Sequence, residues 1–556
     1  MRSRFFLAIF FMLVLTACQH QSRKRPDPLP QDPFIRVYFN HETASEYTEP
    51  YRHQTRVGDD LEQQIVDAIA SAKSTIDVAV QELRLPKIAQ ALVERHQAGV
   101  KVRVILDNTY SRPWSEFAAD EIGKLPQRER DRYNEFRQLV DQNRDGKLDA
   151  DEINQRDALV ILKTGKIPWI DDTADGSTGS GLMHHKFVIV DERTLIVTSA
   201  NFSTSDIHGD FTHSNSIGNA NNLLKINSPQ LAALFTQEFH FMWGDGPGKL
   251  ADSRFGVKKT FRSAQKIKLG NNTISVQFSP TSVAQTWNQS SNGWIGRNLS
   301  SATNSIDLAL FVFSEQQLAN ILETNHQKGV EVRGVFEPQF AFRSYSETLD
   351  MMGVSLSDSC KNELDNHPWS DPIKIGISQL SKGDLLHHKF GVIDKKTVIT
   401  GSHNWSKAAN TNNDETLLVI NNPLVAAHYQ HEFERLYGNA QLGLPASIQK
   451  KVQAQKQCTP TVIEAQGSSR GEFKTDSYGK TSKIEKLAPA YQSIQKVNLN
   501  TASQAELEAL PGVGSKLAQQ IIQTRQQKPF TSREDLDQVP GVGDKLLEKL
   551  SDRVTW

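Results

Sequence analysis

An internal repeat constrains this chain more than any other feature. Thr75-Ile76-Asp77-Val78-Ala79-Val80 returns as Ser305-Ile306-Asp307-Leu308-Ala309-Leu310, an offset of 230 residues (306 − 76). The register holds without a gap through Ala89/Ala319, Leu92/Leu322 and His96/His326 to Arg103/Arg333. Each copy reads as helix, buried strand, helix, glycine turn, buried strand. Strands alternating with helices predict parallel pairing in an α/β fold. Further on, His184-His185-Lys186-Phe187 matches His387-His388-Lys389-Phe390 at an offset of 203, so the first half carries 27 additional residues before that point (230 − 203). Glu238-Phe239 matches Glu432-Phe433 at an offset of 194, so nine more follow the first motif (203 − 194). Two homologous halves, roughly residues 33–265 and 270–445, are the simplest account.

Each half carries His-x-Lys-x4-Asp followed by a small-residue turn and an Asn. These are His184, Lys186, Asp191, Ser199, Asn201 and Ser203, and then His387, Lys389, Asp394, Ser402, Asn404 and Ser406. Lys186–Val190 and Lys389–Ile393 are apolar enough for buried strands. Alternation along a strand puts His184 and His387 on the same face as their lysines and turns His185 and His388 away, into the core. Two His and two Lys suit phosphodiester chemistry that needs no cofactor. One imidazole attacks phosphorus. The other gives a proton to the leaving oxygen and then activates water. Lysine and asparagine side chains neutralise the equatorial oxygens.

This constellation resembles the phospholipase D superfamily, over roughly residues 55–440. The resemblance implies one active site at a pseudo-twofold interface between the halves. It makes His184 the expected nucleophile and His387 the general acid, with the reversed assignment left open. Asp191 and Asp394 then fix the motif and do not touch substrate. Members of that superfamily often carry a Glu that orients the catalytic His. The second half offers Glu415. The stretch His213-Ser214-Asn215-Ser216, taken as its counterpart, has no carboxylate, so the two histidines are expected to have unlike environments.

The 27-residue excess has a recognisable content. Asp141, Asn143, Asp145, Lys147 (through its carbonyl), Asp149 and Glu152 fall at the ligand positions of an EF-hand calcium loop, with Gly146 at the turn. The insertion spans about 128–156 and is expected to bind Ca2+ weakly, with no catalytic role.

The chain begins with Arg2 and Arg4, an apolar run Phe5 to Leu15, and Leu15-Thr16-Ala17-Cys18. This reads as a secretory signal too short to span a bilayer comfortably. It resembles the bacterial lipoprotein box, which implies cleavage after residue 17 and lipidation of Cys18. Gln19 in place of Asp then favours the outer membrane, facing the periplasm or the cell surface, with residues 19–32 as a tether. Cys360 and Cys458 could pair in such a compartment.

Residues 446–494 read as a linker. From Lys450 to Lys496 there are nine Lys/Arg against four Asp/Glu. In the last domain, 495–556, Leu510-Pro511-Gly512-Val513-Gly514 recurs as Val539-Pro540-Gly541-Val542-Gly543, followed by Lys516 and Lys545. Gly-x-Gly between helices exposes amides where a backbone phosphate can bind. The module resembles the helix-hairpin-helix domain of competence DNA receptors, which implies non-specific DNA binding. From Val497 onward it holds seven basic and eight acidic residues, so charge in this module does not itself argue for DNA.

These features together predict an envelope-anchored phosphodiesterase acting on DNA. The alternatives are a phospholipase D acting on membrane phospholipid, and a non-catalytic DNA-binding or uptake factor.

Overall fold

The computed structural model describes residues 25–177, 180–357, 365–455 and parts of 497–555. Cys18, Cys360 and Cys458 lie outside the described residues. Contacts divide the chain into two compact units, a large one holding 25–455 and a small one holding 497–555.

In the large unit each half builds its own sheet. The first has seven strands in the order Ile35–Phe39, Asn222–Asn227, Thr194–Thr198, Lys186–Val190, Thr75–Val80, Lys101–Leu106, Trp169–Asp171. The second has nine, and its centre repeats that order as Asn272–Ser279, Glu415–Asn421, Thr397–Gly401, Lys389–Ile393, Ser305–Leu310, Glu331–Phe336. The repeated strands Thr75–Val80 and Lys101–Leu106 pair in parallel, as do Ser305–Leu310 and Glu331–Phe336. The motif strands instead run antiparallel to them and form hairpins, so both sheets are mixed, which corrects the parallel expectation. Two antiparallel strands need only a tight turn, and the turn residues Asp191-Glu192 and Asp394-Lys395 supply it with φ between 49° and 54°.

The repeat also reproduces its ion pairs. Arg103 donates twice to Asp77, both at 2.7 Å, and Arg333 donates to Asp307 at 2.7 and 3.0 Å. One hydrophobic core is shared between the halves. Phe187 and Phe235 of the first join Phe390 and Tyr429 of the second, and Phe235 meets Phe278 edge-on at 5.1 Å. That core fixes the two motif strands relative to each other.

The insertion forms the helices Gln127–Val140 and Ala150–Arg156 on either side of the loop 141–149. Helix also replaces the first part of the expected linker. Ala446–Gln455 is helical and buries Ile448 against Leu349 and Leu356, so the large unit runs about ten residues past the boundary read from composition. Ile448 and Val452, four residues apart, make the stripe that docks it. No helix among the described residues is long and apolar enough to cross a membrane.

The small unit packs Leu499, Leu507, Leu510, Val513, Ala518, Ile521, Phe530, Leu536 and Val539 around the helix Ser515–Gln527. A two-residue parallel pairing of Val497–Asn498 with Val554–Thr555 ties its ends together. The Asn500 side chain exchanges two hydrogen bonds of 2.8 Å with the Phe530 backbone.

Candidate active site

Both His-x-Lys motifs enter strands at the seam between the halves, and the seam is built by reciprocal backbone bonds. His184 N donates to Asp414 O at 2.9 Å, while His387 N donates to Ala220 O at 3.1 Å. Each motif thus lies beside the segment that opens the last strand of the other half. The consequence is a crossed set of side-chain contacts. His184 Nδ1 faces Glu415 Oε2 at 2.7 Å, and His387 Nδ1 faces Asn221 Oδ1 at 3.0 Å with Asp206 Oδ1 at 3.4 Å. Ser402 Oγ donates to the same Glu415 oxygen at 2.6 Å, and Ser199 Oγ donates to Asn221 Oδ1 at 2.7 Å.

One reading of the sequence, the counterpart of Glu415, is corrected here. Glu415 serves the histidine of the opposite half. Its counterpart is Asn221, and the stretch 213–216 lies in a loop before it. The signal was present: the 194-residue offset read from Glu238/Glu432 pairs 415 with 221 (415 − 221). The expected inequality of the histidines stands, because His184 meets a carboxylate at 2.7 Å, whereas the nearest partner of His387 is an amide oxygen at 3.0 Å with the Asp206 carboxylate farther off at 3.4 Å.

The lysines are held by their own motifs. Lys186 Nζ donates to His184 O at 2.9 Å and to Gln81 Oε1 at 3.3 Å. Lys389 Nζ donates to His387 O at 2.6 Å and stands 4.8 Å from the centre of the Phe311 ring. That ring also meets His387 edge-on at 4.7 Å. Asn201 is buried beside Asp206, which accepts its backbone N–H at 3.2 Å. Asn404 Oδ1, Gln81 Nε2 and His387 Nε2 are buried without a hydrogen-bond partner. Polar atoms left unpaired inside a protein are costly, so a ligand that satisfies them gains the difference. Gln81, Asp206, Asn221 and Phe311 were not picked out from the sequence.

The outward-turned histidines are core residues. His185 sits between Thr416 Oγ1 at 2.8 Å and Glu238 Oε1 at 3.2 Å. His388 faces Glu432 Oε1 at 2.9 Å. Asp191 accepts the backbone N–H groups of Lys73, Ser74 and Thr75 at 2.7–3.0 Å. Asp394 accepts those of Thr303, Asn304 and Ser305. Each aspartate therefore clamps its hairpin turn to the helix–strand junction, away from the His–Lys cluster. Ser203 and Ser406 cap short helices through the N–H groups of Asp206 and Ala409.

Electrostatics follow from burial and from two close lysines. Burial, then Lys186 and Lys389, hold His184 well below the ordinary imidazole range. His387 is lowered in the same way by burial, Lys389 and Lys186. Burial brings Lys186 down to about 8 and Lys389 well below its usual value, while burial raises Glu415 and Asp206. A dry, cationic cluster of this kind is complementary to a phosphodiester anion.

In the insertion, Asp141 accepts N–H bonds from Asp145 and Gly146, Asn143 from Asp145, and Asp145 from Lys147. Glu152 accepts from Gln142 and Asn143, and Asp149 accepts the N–H of Glu152 at 2.8 Å. Gly146 has φ +80°. The loop's carboxylates are thus turned onto its own amides. Among the described residues no group of three or more His, Cys, Asp or Glu is placed to hold a metal ion. Of the expected DNA contacts, Gly512, Gly514, Gly541, Gly543 and Lys545 lie outside the described residues, and Lys516 lies in the helix Ser515–Gln527.

Comparison with known proteins bears on this geometry. The profile described as "Cardiolipin synthase, PLD-like domain" matches residues 65–243 and 295–437, and a helix-hairpin-helix profile matches 492–555. Mitochondrial cardiolipin hydrolase of Mus musculus is 33% identical over 143 residues, covering 25% of this chain and 55% of that protein. Phospholipase D of Rickettsia typhi is 24% identical over 148 residues, 26% of this chain and 63% of that protein. The chain spans about half the length of the cardiolipin hydrolases it matches. The crystal structure of Nuc, a phospholipase D family member from Salmonella typhimurium, is covered completely by 32% of this chain at 21% identity and a TM-score of 0.25.

Proposed function

The chain belongs to the phospholipase D-like family, and on this premise we propose that it is a phosphodiesterase of that type and that its substrate is DNA. The observation that carries the reading is the helix-hairpin-helix match at 492–555, joined in one chain to the phosphodiesterase body. In that module Gly512, Gly514, Gly541 and Gly543, with Lys516 and Lys545, would offer amides and charge to the nucleic acid backbone. This is the arrangement that resembles competence DNA receptors.

The chemistry we assign is a double displacement. Glu415 accepts the Nδ1 proton of His184, which leaves the Nε2 lone pair free to attack phosphorus. The P–O bond to the leaving group breaks, and its oxygen takes a proton from His387 Nε2. Burial, and then the two lysines, keep both imidazoles neutral in the resting site. The arriving phosphodiester anion, with Asp206 behind His387, offsets that charge and lets His387 hold the proton it must give. His387 then removes a proton from water, the water oxygen attacks phosphorus, and the N–P bond to His184 breaks. Lys186, Lys389, Asn201 and Asn404 stabilise the equatorial oxygens.

A second reading has its own support, since the curated relatives are named cardiolipin hydrolase and phospholipase D. The lipoprotein-like segment ending at Cys18 would place the enzyme at a bacterial envelope membrane in either case, and a phospholipid would then be at hand. The two readings separate on one set of reactions. Protein beginning at Gln19 is offered single- and double-stranded DNA, and vesicles of phosphatidylglycerol or cardiolipin, beside His184→Ala and His387→Ala. DNA cleavage lost in both variants, with vesicles untouched, supports the nuclease. Headgroup release with intact DNA overturns it. DNA that is bound but never cut would leave the third reading, a non-catalytic uptake factor.

A further inference from the structure

The repeat makes the two flanks of the phosphate site comparable, and they differ. The 230-residue offset maps Gln81 onto Phe311 and Tyr110 onto Phe340. On the first-half flank the insertion closes over these positions. Arg132, from the helix Gln127–Val140, lies 4.9 Å from the Tyr110 ring and pairs with Glu82. Trp114, Phe136 and Leu139 pack beside it and line a void of about 30 Å³. Gln81 faces the catalytic centre there with an amide. On the second-half flank nothing equivalent to the insertion is present among the described residues. Phe311 and Phe340 stand 4.8 Å apart edge-to-face as a wall beside His387. Leu385 packs in one cluster with Phe311 and Phe340 and also lines a cavity of about 400 Å³, whose other walls include Pro338, Ser378, Gln379, Leu380 and Lys382 and the carboxylates of Glu337 and Asp384.

We propose that this cavity is the leaving-group subsite and that it takes the nucleoside released on cleavage, with Lys382 on the next phosphate. The inference rests on the nuclease reading and deepens it. His387 donates to the leaving oxygen, so the departing group emerges on His387's side of phosphorus, and Leu385, two residues before His387, lines the cavity. Its volume lies within the range of small-molecule pockets. Pro338, Leu380 and Leu385 offer faces to a base, whereas Ser378 and Gln379 offer hydrogen bonds to its edge or to the sugar. The insertion, in this account, blocks the opposite flank and so fixes the direction in which a strand can lie.

Gln379 and Lys382 are both exposed at the cavity rim, so their replacement spares the core. Gln379→Ala, Lys382→Ala and the double variant of the chain from Gln19 would be assayed on a single-stranded oligonucleotide and on bis(p-nitrophenyl) phosphate. The latter offers one nitrophenol as leaving group, smaller than a nucleoside and without a further phosphate for Lys382. The expected result is a fall of about tenfold in kcat/KM on the oligonucleotide for the double variant, with the aryl substrate unchanged. Unchanged cleavage of DNA, or equal loss on both substrates, would overturn the subsite. If the parent protein leaves DNA intact and instead releases headgroup from phosphatidylglycerol vesicles, the nuclease reading falls first and the nucleoside occupant falls with it.

Discussion

Glu415 and His184 belong to different halves of the chain, 231 residues apart, and stand 2.7 Å from each other as carboxylate and imidazole Nδ1. The contact fixes the tautomer of His184, and Ser402 fixes the carboxylate in turn. Glu415→Gln keeps the volume but replaces the acceptor of the Nδ1 proton with an amide that can also donate. We expect kcat on bis(p-nitrophenyl) phosphate to fall by about 100-fold or more, since the wrong tautomer becomes accessible. Thermal melting of the variant separates this from unfolding: Tm should shift by only a few degrees. Full activity would remove Glu415 from the mechanism.

The unequal backing of the two histidines predicts unequal variants. His387→Ala retains the nucleophile and loses the group that activates water. With an aryl diester, whose leaving group needs no acid, it should accumulate a covalent phosphohistidine at residue 184. His184→Ala should form none. Intact mass spectrometry under alkaline quench reads the adduct directly. An adduct at 387 in the His184→Ala protein would reverse the assignment.

How much of this was legible in the sequence divides along a physical line. Local relationships were: Asp191 and Asp394 bind amides just before strands that the repeat had already aligned, and the alternation of His184, His185 and Lys186 along a strand set which side chain entered the site. Relationships across the seam were not. The target of Glu415 depends on how two sheets dock through Phe187, Phe235, Phe390 and Tyr429, and periodicity describes each sheet alone. The mixed pairing escaped for a similar reason, since alternating strands and helices speak for parallel neighbours only while a helix separates them. Lys186–Val190 and Thr194–Thr198 are joined by a turn. The helix Ala446–Gln455 was hidden by its polar composition, with Ile448 and Val452 as its apolar contacts.

Asp394 offers a test of structure against chemistry. Its carboxylate accepts the N–H groups of Thr303, Asn304 and Ser305 together with the Thr303 hydroxyl. Asp394→Ala leaves those donors to water and should cost about 1–3 kcal/mol. Chemical denaturation should show the lower midpoint, while kcat of the folded fraction stays within about twofold of the parent. A collapse of kcat with unchanged stability would place Asp394 in the reaction.

In the loop Asp141–Glu152 the carboxylates bond to loop amides, and from the residue pattern we propose that it takes Ca2+ weakly, with Kd on the order of 10⁻⁴–10⁻³ M. Addition of millimolar CaCl2 should raise Tm, and Asp145→Ala should abolish the rise. Hydrolysis of the aryl diester in EDTA should be unaltered, because no step assigned here uses the ion. A calcium requirement for turnover would overturn that separation.

The pH dependence follows from Lys186. Burial lowers its pKa from the ordinary lysine value to about 8, so the ammonium that binds phosphate is complete below that pH and is lost above it. For the free enzyme, kcat/KM should therefore fall as pH rises through about 8. A bound phosphodiester anion favours the ammonium, so the alkaline limb of kcat should lie at higher pH than that of kcat/KM. Lys186→Arg holds its charge throughout and should make the alkaline limb of kcat/KM shallower, leaving only what Lys389, also lowered by burial, contributes, although its planar fork fits the site less well and lowers the plateau. Profiles of parent and variant on bis(p-nitrophenyl) phosphate between pH 5 and 10, roughly the window spanned by histidine and a lowered lysine, would decide it. A limb that stays near pH 8 in the arginine variant would assign the titration to another group.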